Sequence, residues 1–181
     1  MTDVKAEARA KAFARRAEAF AAGQGQAAEI LADYLSGHRG KVLSGYMPMR
    51  TEIDPLPAMA AHQGPVGVPV IMEKATPLRF REWSPGCRLV EGAFKAMIPE
   101  EGAWVEPEVL IVPLLAWDRR GFRLGYGGGF YDRTLEGLRA RGRVLAVGFA
   151  FAAQEVEAVP IDEFDQRLDA VVTEKGITVF A

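Results

Sequence analysis

At 181 residues, 49% hydrophobic and 25% charged, the chain is long enough for one substantial core and too short for two large ones. A net charge of −2 with no basic tail argues against nucleic acid as a partner, and no stretch approaches the about 18 apolar residues of a membrane span. Cys87 is the only cysteine, which excludes an intramolecular disulfide and a cysteine zinc cluster.

In chain order, residues 3–22 are predicted to form an amphipathic helix. Ala6, Ala10, Phe13, Ala17 and Phe20 make its apolar stripe, with Lys5, Arg9 and Arg16 along the margin. On spacing alone those cations read as a solvated helix side. The opening Met-Thr-Asp, with charges every few residues, is unlike a secretory leader, so the cytoplasm is the expected compartment. A second helix is predicted over residues 26–36, with Ala27, Ile30, Leu31, Tyr34 and Leu35 on one side and Gly37 and Gly40 ending it.

Residues 41–46 read as the first strand. It leads through Met47 and Glu52 to Asp54-Pro55, a helix N-cap followed by proline at the first helical position. Glu52 therefore sits in a strand-to-helix loop, where open α/β sheets bind ligands. Residues 66–71 form a predicted core strand and 78–83 a predicted edge strand. Trp83, Phe94 and Trp104 are candidates to wall an aromatic ligand or simply to pack the core. Val109 to Val112 reads as a buried strand, residues 144–151 as another, residues 153–158 as a short helix and residues 170–173 as a final inner strand. Strands alternating with helices imply an α/β domain with a largely parallel sheet.

The densest signal lies at residues 123–133. Gly125 and Gly127 to Gly129 leave almost no side chain to obstruct a ligand, and Tyr131, Leu135 and Leu138 open a helix at i, i+4, i+7 spacing. A strand, a glycine loop and a helix start aim unpaired backbone N–H groups at one point, which is a phosphate site. Arg123 and Arg133 flank the loop as guanidinium donors, and Asp132 supplies a hard oxygen suited to Mg²⁺. A tight hairpin needs fewer glycines and gains nothing from the arginines. A dinucleotide fingerprint fails at Phe130, and no Gly-Lys-Ser/Thr follows for a Walker-type loop. Charge is also uneven: residues 119–143 hold seven arginines against Asp132 and Glu136, whereas residues 151–181 hold seven acids against Arg167 and Lys175. That asymmetry suits an anionic ligand with a metal, or two solvated faces. No nucleophile pattern surrounds His38 or His62, so positioning and charge stabilisation remain as the chemistry on offer.

The run from Trp117-Asp118 through Arg119-Arg120-Gly121 and Phe122 to Arg123–Asp132 resembles the signature of the 5-formyltetrahydrofolate cyclo-ligase family, also called methenyltetrahydrofolate synthetases. That pattern is an aromatic-Asp pair, a short spacer, Gly, then Arg-Leu-Gly-x-Gly-x-Gly-aromatic-Tyr-Asp. The resemblance implies a three-layer, Rossmann-like fold over residues 1–181 as one domain. It also implies ATP-driven closure of 5-formyltetrahydrofolate to 5,10-methenyltetrahydrofolate by a monomer, with Mg²⁺. Lys5 and Arg9 match an N-terminal Lys-x-x-x-Arg that contacts ATP, and Arg123, Leu124, Gly125, Tyr126, Gly127, Gly128, Gly129, Phe130 and Tyr131 match the nucleotide cradle. Met47 and Glu52 match the folate pocket, with Phe130 and Tyr131 beside the formyl group, and Arg123 and Tyr131 become the expected catalytic pair. Asp132 and Asp169 match metal-binding positions, and Asp165 matches a recurrent acid. Ala8, Lys95-Ala96, Tyr126, Gly128 and Phe130 depart from residues common in relatives. Two other readings are a non-catalytic folate or nucleotide regulator on the same fold, which would release no ADP, and a phosphosugar isomerase, which would need no ATP.

Overall fold

A computed structural model describes residues 4–180, so residue 3, where the first helix is expected to begin, lies outside the described residues. Helices α1 (Val4–Ala22) and α2 (Ala27–Leu35) lead to strand β1 (Leu43–Ser44). Helix α3 (Leu56–Ala61) connects it to β2 (Val66–Val70), which β3 (Arg79–Glu82) follows. A hairpin of β4 (Leu89–Glu91) and β5 (Met97–Pro99) precedes β6 (Trp104–Val105) and β7 (Val109–Val112). A second hairpin, β8 (Ala116–Trp117) with β9 (Arg123–Leu124), delivers the glycine run to α4 (Phe130–Arg141). Strands β10 (Leu145–Phe149), β11 (Ala170–Thr173) and β12 (Gly176–Val179) complete the order.

The main sheet runs β12-β11-β10-β7-β1-β2-β3-β6. Its five inner strands, from β11 to β2, are mutually parallel; β12 pairs antiparallel with β11, β3 with β2, and β6 with β3. The apolar run Val109–Val112 explains the centre. Side chains alternate between faces, so Val109 and Ile111 join the core under α2 and α3, while Leu110 and Val112 meet Leu135 and Leu138 of α4. Burying each of these side chains contributes about 2 kcal/mol. Helices on both faces give the expected three layers.

The chain leaves β1 in one direction through α3 to β2 and leaves β7 in the other through α4 to β10. Strands β1 and β7 are neighbours, so a crevice opens between their carboxyl ends, at the point where the winding reverses. The loop carrying Glu52 leaves one side of that crevice. The segment carrying the glycines leaves the other.

Several expectations need correction. The exposed side of α1 includes Ala6, Ala10, Ala17 and Phe20; the helix docks through Ala8, Ala12, Phe13 and Ala19, with Lys5, Arg9 and Arg16 on that same face. Alanines contribute little burial energy, and the cations find partners elsewhere in the chain, so the packed face is the cationic one. Strand β3 is not an edge, because β6 pairs with it. Strand β11 is the final inner strand, as expected, and a turn ahead of Gly176 adds β12 along it as an antiparallel edge. Residues 152–154 form a single 3₁₀ turn instead of a helix. The glycine run follows a hairpin strand, not β7 directly. Of the two readings for the tryptophans, Trp83 takes core packing, and Trp104 lies against the guanidinium groups of Arg79 and Arg81, at 4.1 and 4.4 Å.

Asp118 organises the hairpin that presents the glycines. Its buried carboxylate accepts hydrogen bonds from the backbone N–H groups of Arg120 and Val159, each at 2.9 Å, and from the Arg120 guanidinium at 2.7 Å. Burial pushes its pKa up, but those donors outweigh burial and hold it below the ordinary value. Asp118→Ala is expected to lower the free energy of unfolding in urea by about 3 kcal/mol, because it strands buried donors. A depressed folded pKa stabilises fully above the unfolded value near about 4, and that contribution is lost as pH falls below it. The gap between wild type and variant should therefore narrow in acid.

Candidate active site

The loop before α3 folds back on itself. Glu52 N–H donates to Met49 O at 3.0 Å, Met49 N–H donates to Glu52 Oε1 at 2.8 Å, and Arg50 adopts a left-handed φ of 55° to close the turn. Asp54 Oδ1 accepts from Leu56 N–H at 2.9 Å just ahead of α3, whose N-cap is Pro55, one residue later than the sequence implies. These contacts fix the Glu52 carboxylate facing the crevice, 8% exposed, with Met47 half-buried beside the core. Burial raises the Glu52 pKa, and its hydrogen bonds with Tyr126 and Met49 and the charges of Arg16 and Arg50 offset that only in part.

Across the crevice, Gly129 caps α4 with φ 69° and Gly127 turns with φ 103°, conformations that L side chains rarely adopt. Arg9 Nε donates to Gly125 O at 2.9 Å, and Arg133 Nη1 donates to Gly128 O at 2.7 Å. Two carbonyls of the loop are thus engaged by cations. No acceptor among the described residues takes the N–H groups of Tyr126 to Gly129. Free amides at the start of a helix form an anion cradle.

Arg123 lies beneath this loop, 8% exposed. Its guanidinium sits 5.5 Å from the Tyr131 ring centre, and its Nη1 stands 2.6 Å from where a Cβ on Gly125 would be. The pair with Asp132 is loose, at 3.6 Å. Arg123 Nε and the Tyr131 hydroxyl are buried without a hydrogen-bond partner among the described residues, which is costly unless a ligand supplies one. Burial, followed by the charge of Glu52, pushes the Tyr131 pKa far up, so its hydroxyl stays a neutral donor. Leu124 is a buried strand residue and serves the cradle through its backbone position. Phe130 packs near the exposed Phe94, with ring centres 6.4 Å apart.

Asp132 accepts from Gln166 N–H at 3.0 Å and lies against Asp165. Its pKa is raised by burial, and Asp165 adds to that against the opposing charge of Arg123. Two carboxylates held together this way suit a divalent cation. Among the described residues no group of three or more His, Cys, Asp or Glu side chains forms a cage, so a cation here would need oxygens from its ligand. Mg²⁺ accepts that arrangement.

A family model described as the 5-formyltetrahydrofolate cyclo-ligase family matches residues 1–174. The chain belongs to the 5-formyltetrahydrofolate cyclo-ligase family. It is 33% identical to the 5-formyltetrahydrofolate cyclo-ligase of Mycolicibacterium smegmatis over 166 residues, which cover 82% of each chain. To the Escherichia coli K12 cyclo-ligase it is 52% identical over 66 residues, a match spanning 36% of each. The NMR structure of Aquifex aeolicus 5,10-methenyltetrahydrofolate synthetase superposes with a TM-score of 0.76 at 30% identity, covering 98% of this chain and 93% of that one.

Placed against the cyclo-ligase signature, two positions stand apart. Lys5 is engaged by acids: its ammonium lies 2.9 Å from both Asp162 and Asp165. Asp169 is not beside Asp132. It accepts from Ala146 N–H at 2.7 Å and pairs with Arg139 at 3.3 Å, about two turns farther along α4, at the amino ends of the parallel strands. Asp165 is the acid that adjoins Asp132. Arg16 and Thr51 enter the crevice without having been singled out there. Arg16 is 1% exposed and bonds Thr51 and Tyr126, two partners that no local pattern reveals. No helix among the described residues is long and apolar enough to cross a membrane.

Proposed function

We propose that this chain converts 5-formyltetrahydrofolate to 5,10-methenyltetrahydrofolate at the expense of ATP, releasing ADP and phosphate. The observation that carries the reading is the meeting of an open glycine cradle with a buried carboxylate, Glu52, joined to it through the Tyr126 hydroxyl at 2.7 Å. Phosphates would lie on the amides of Tyr126–Gly129, with Arg123 below and Arg9 above. Lys5 would join them from one turn earlier on α1 once it left its acidic partners. Glu52 can accept two hydrogen bonds from the amino and ring N–H groups of a reduced pterin, beside Met47. Phe130 and Tyr131 would flank the formyl group.

In this reading the formyl oxygen attacks the γ-phosphorus, N10 then attacks the activated carbon, and phosphate leaves as the ring closes. The protein's part is to hold the two substrates in line and to stabilise charge on the transferred group. Arg123, a fork of donors in a nearly dry site, is the group best placed for that charge. Asp132 with Asp165 would hold Mg²⁺, which neutralises phosphate charge when bound. A monomer acting in the cytoplasm, with residues 1–181 as one unit, is part of the same proposal.

The test is growth of the methenyl product's near-ultraviolet absorbance on mixing the protein with ATP, Mg²⁺ and 5-formyltetrahydrofolate. Folded protein that binds both ligands but releases no ADP would be a regulator instead. Asp132→Asn is expected to raise the Mg²⁺ concentration needed for half-maximal turnover by about tenfold, since one carboxylate of two is lost. An unchanged Mg²⁺ titration would remove Asp132 from the metal site.

A further inference from the structure

The Tyr126 hydroxyl ties together two loops that leave different strands. It donates to Glu52 Oε2 at 2.7 Å and accepts from Arg16 Nη1. Arg16 Nε donates to Thr51 Oγ1 at 3.0 Å, on the residue next to Glu52. A guanidinium has no acceptor, so the direction of the chain is fixed: Arg16 to Tyr126 to Glu52. The Arg16 guanidinium lies 5.3 Å from the Phe13 ring centre and 5.6 Å from that of Tyr126, which fastens the network to α1. Tyr126 itself is 47% exposed, and its hydroxyl, with the ring contact to Phe13 at 5.9 Å, holds this part of the glycine loop.

We propose that the Arg16–Tyr126–Glu52 chain couples the two ligand sites, so that a nucleotide on the glycine loop and a reduced folate on Glu52 strengthen each other's binding. The inference rests on the function proposed above and adds Arg16 and Tyr126 as positioning residues. Four glycines give the loop many conformations, and the hydrogen bond to Glu52 selects among them. A nucleotide that orders the loop fixes the Tyr126 hydroxyl and with it one oxygen of Glu52, whose other oxygen is already held by Met49 N–H. The folate then meets an ordered carboxylate and loses less conformational freedom on binding. Linkage requires the reverse effect to be equal. Arg16 Nη2 is also buried without a partner among the described residues, so the network retains a donor for a ligand or a water.

Calorimetric titration of a non-hydrolysable ATP analogue with Mg²⁺, with and without saturating 5-formyltetrahydrofolate, measures the coupling. In the wild type, the folate is expected to tighten nucleotide binding about tenfold, equivalent to about 1.4 kcal/mol, and the nucleotide to tighten folate binding by the same factor. Tyr126→Phe keeps the ring and should bring that factor close to one while the protein still unfolds in a single cooperative thermal transition. Arg16→Gln should do the same through loss of the tether. A wild-type factor near one, or a tenfold factor that survives in Tyr126→Phe, overturns the inference. Turnover without coupling leaves the cyclo-ligase reading standing and removes only this proposal, whereas failure of the wild type to bind either ligand removes both.

Discussion

Arg123→Ala is expected to lower kcat for methenyl formation by about 10³-fold, or about 4 kcal/mol, while the protein remains folded. The magnitude is that of a cationic clamp on a transferred phosphoryl group. The geometry supports such a role because Arg123 is held in place without being used up. Its nearest carboxylate, Asp132, is 3.6 Å away, and its Nε has no partner among the described residues. A guanidinium committed to a short bidentate pair would have little left for a ligand. In the alanine variant Asp132 also loses the charge that opposes its burial, so its carboxyl should titrate higher still and hold a cation less well. Arg123→Lys separates the two effects. It restores the charge near Asp132 but not the planar fork, so it should recover Mg²⁺ dependence and only a minor share of kcat. Single-turnover absorbance measurements at saturating ATP report kcat directly. An alanine variant within tenfold of wild type would place Arg123 outside the transfer step.

The sheet and the glycine loop ahead of α4 were largely legible in the sequence because both depend on local pattern. Val109–Val112 is apolar on every residue, which only a strand covered on both faces requires, and four glycines in five positions have few structural uses. The face of α1 was not legible. Its helical period offered the stripe Ala6, Ala10, Phe13, Ala17 and Phe20, yet the packed face carries Lys5, Arg9 and Arg16. Their hydrogen-bond partners include Asp162, Asp165, Gly125 O, Tyr126 and Thr51, each distant in sequence. Hydrophobic periodicity cannot anticipate a buried cation whose cost is offset by groups from other elements. The acids show the same limit. Asp165 and Asp169 look equivalent along the chain, but the start of β11 ties Asp169 to Ala146 N–H, and the preceding loop carries Asp165 back to Asp132.

For Glu52→Gln, catalytic efficiency toward 5-formyltetrahydrofolate should fall about 100-fold, since an ionised acceptor of two hydrogen bonds becomes a neutral amide with one oxygen to offer. The fold should not suffer in parallel. Burial raises the Glu52 pKa, so the folded state binds the proton more tightly than the unfolded chain does. The associated stability is present below the unfolded carboxylate value and is lost as pH rises through the folded one. The carboxylate form of Glu52 is therefore held against the cost of its burial, and glutamine should leave the urea midpoint equal or higher. The same elevated pKa gives the wild type an acid limb in kcat/KM for the folate that lies above the ordinary glutamate value of about 4.3, because only the carboxylate accepts both pterin hydrogens. Glu52→Gln should lose that limb along with its efficiency. A variant that lost stability and activity together and kept the acid limb would make Glu52 a structural residue of the Met49 turn, and the carboxylate that receives the folate would have to be sought elsewhere.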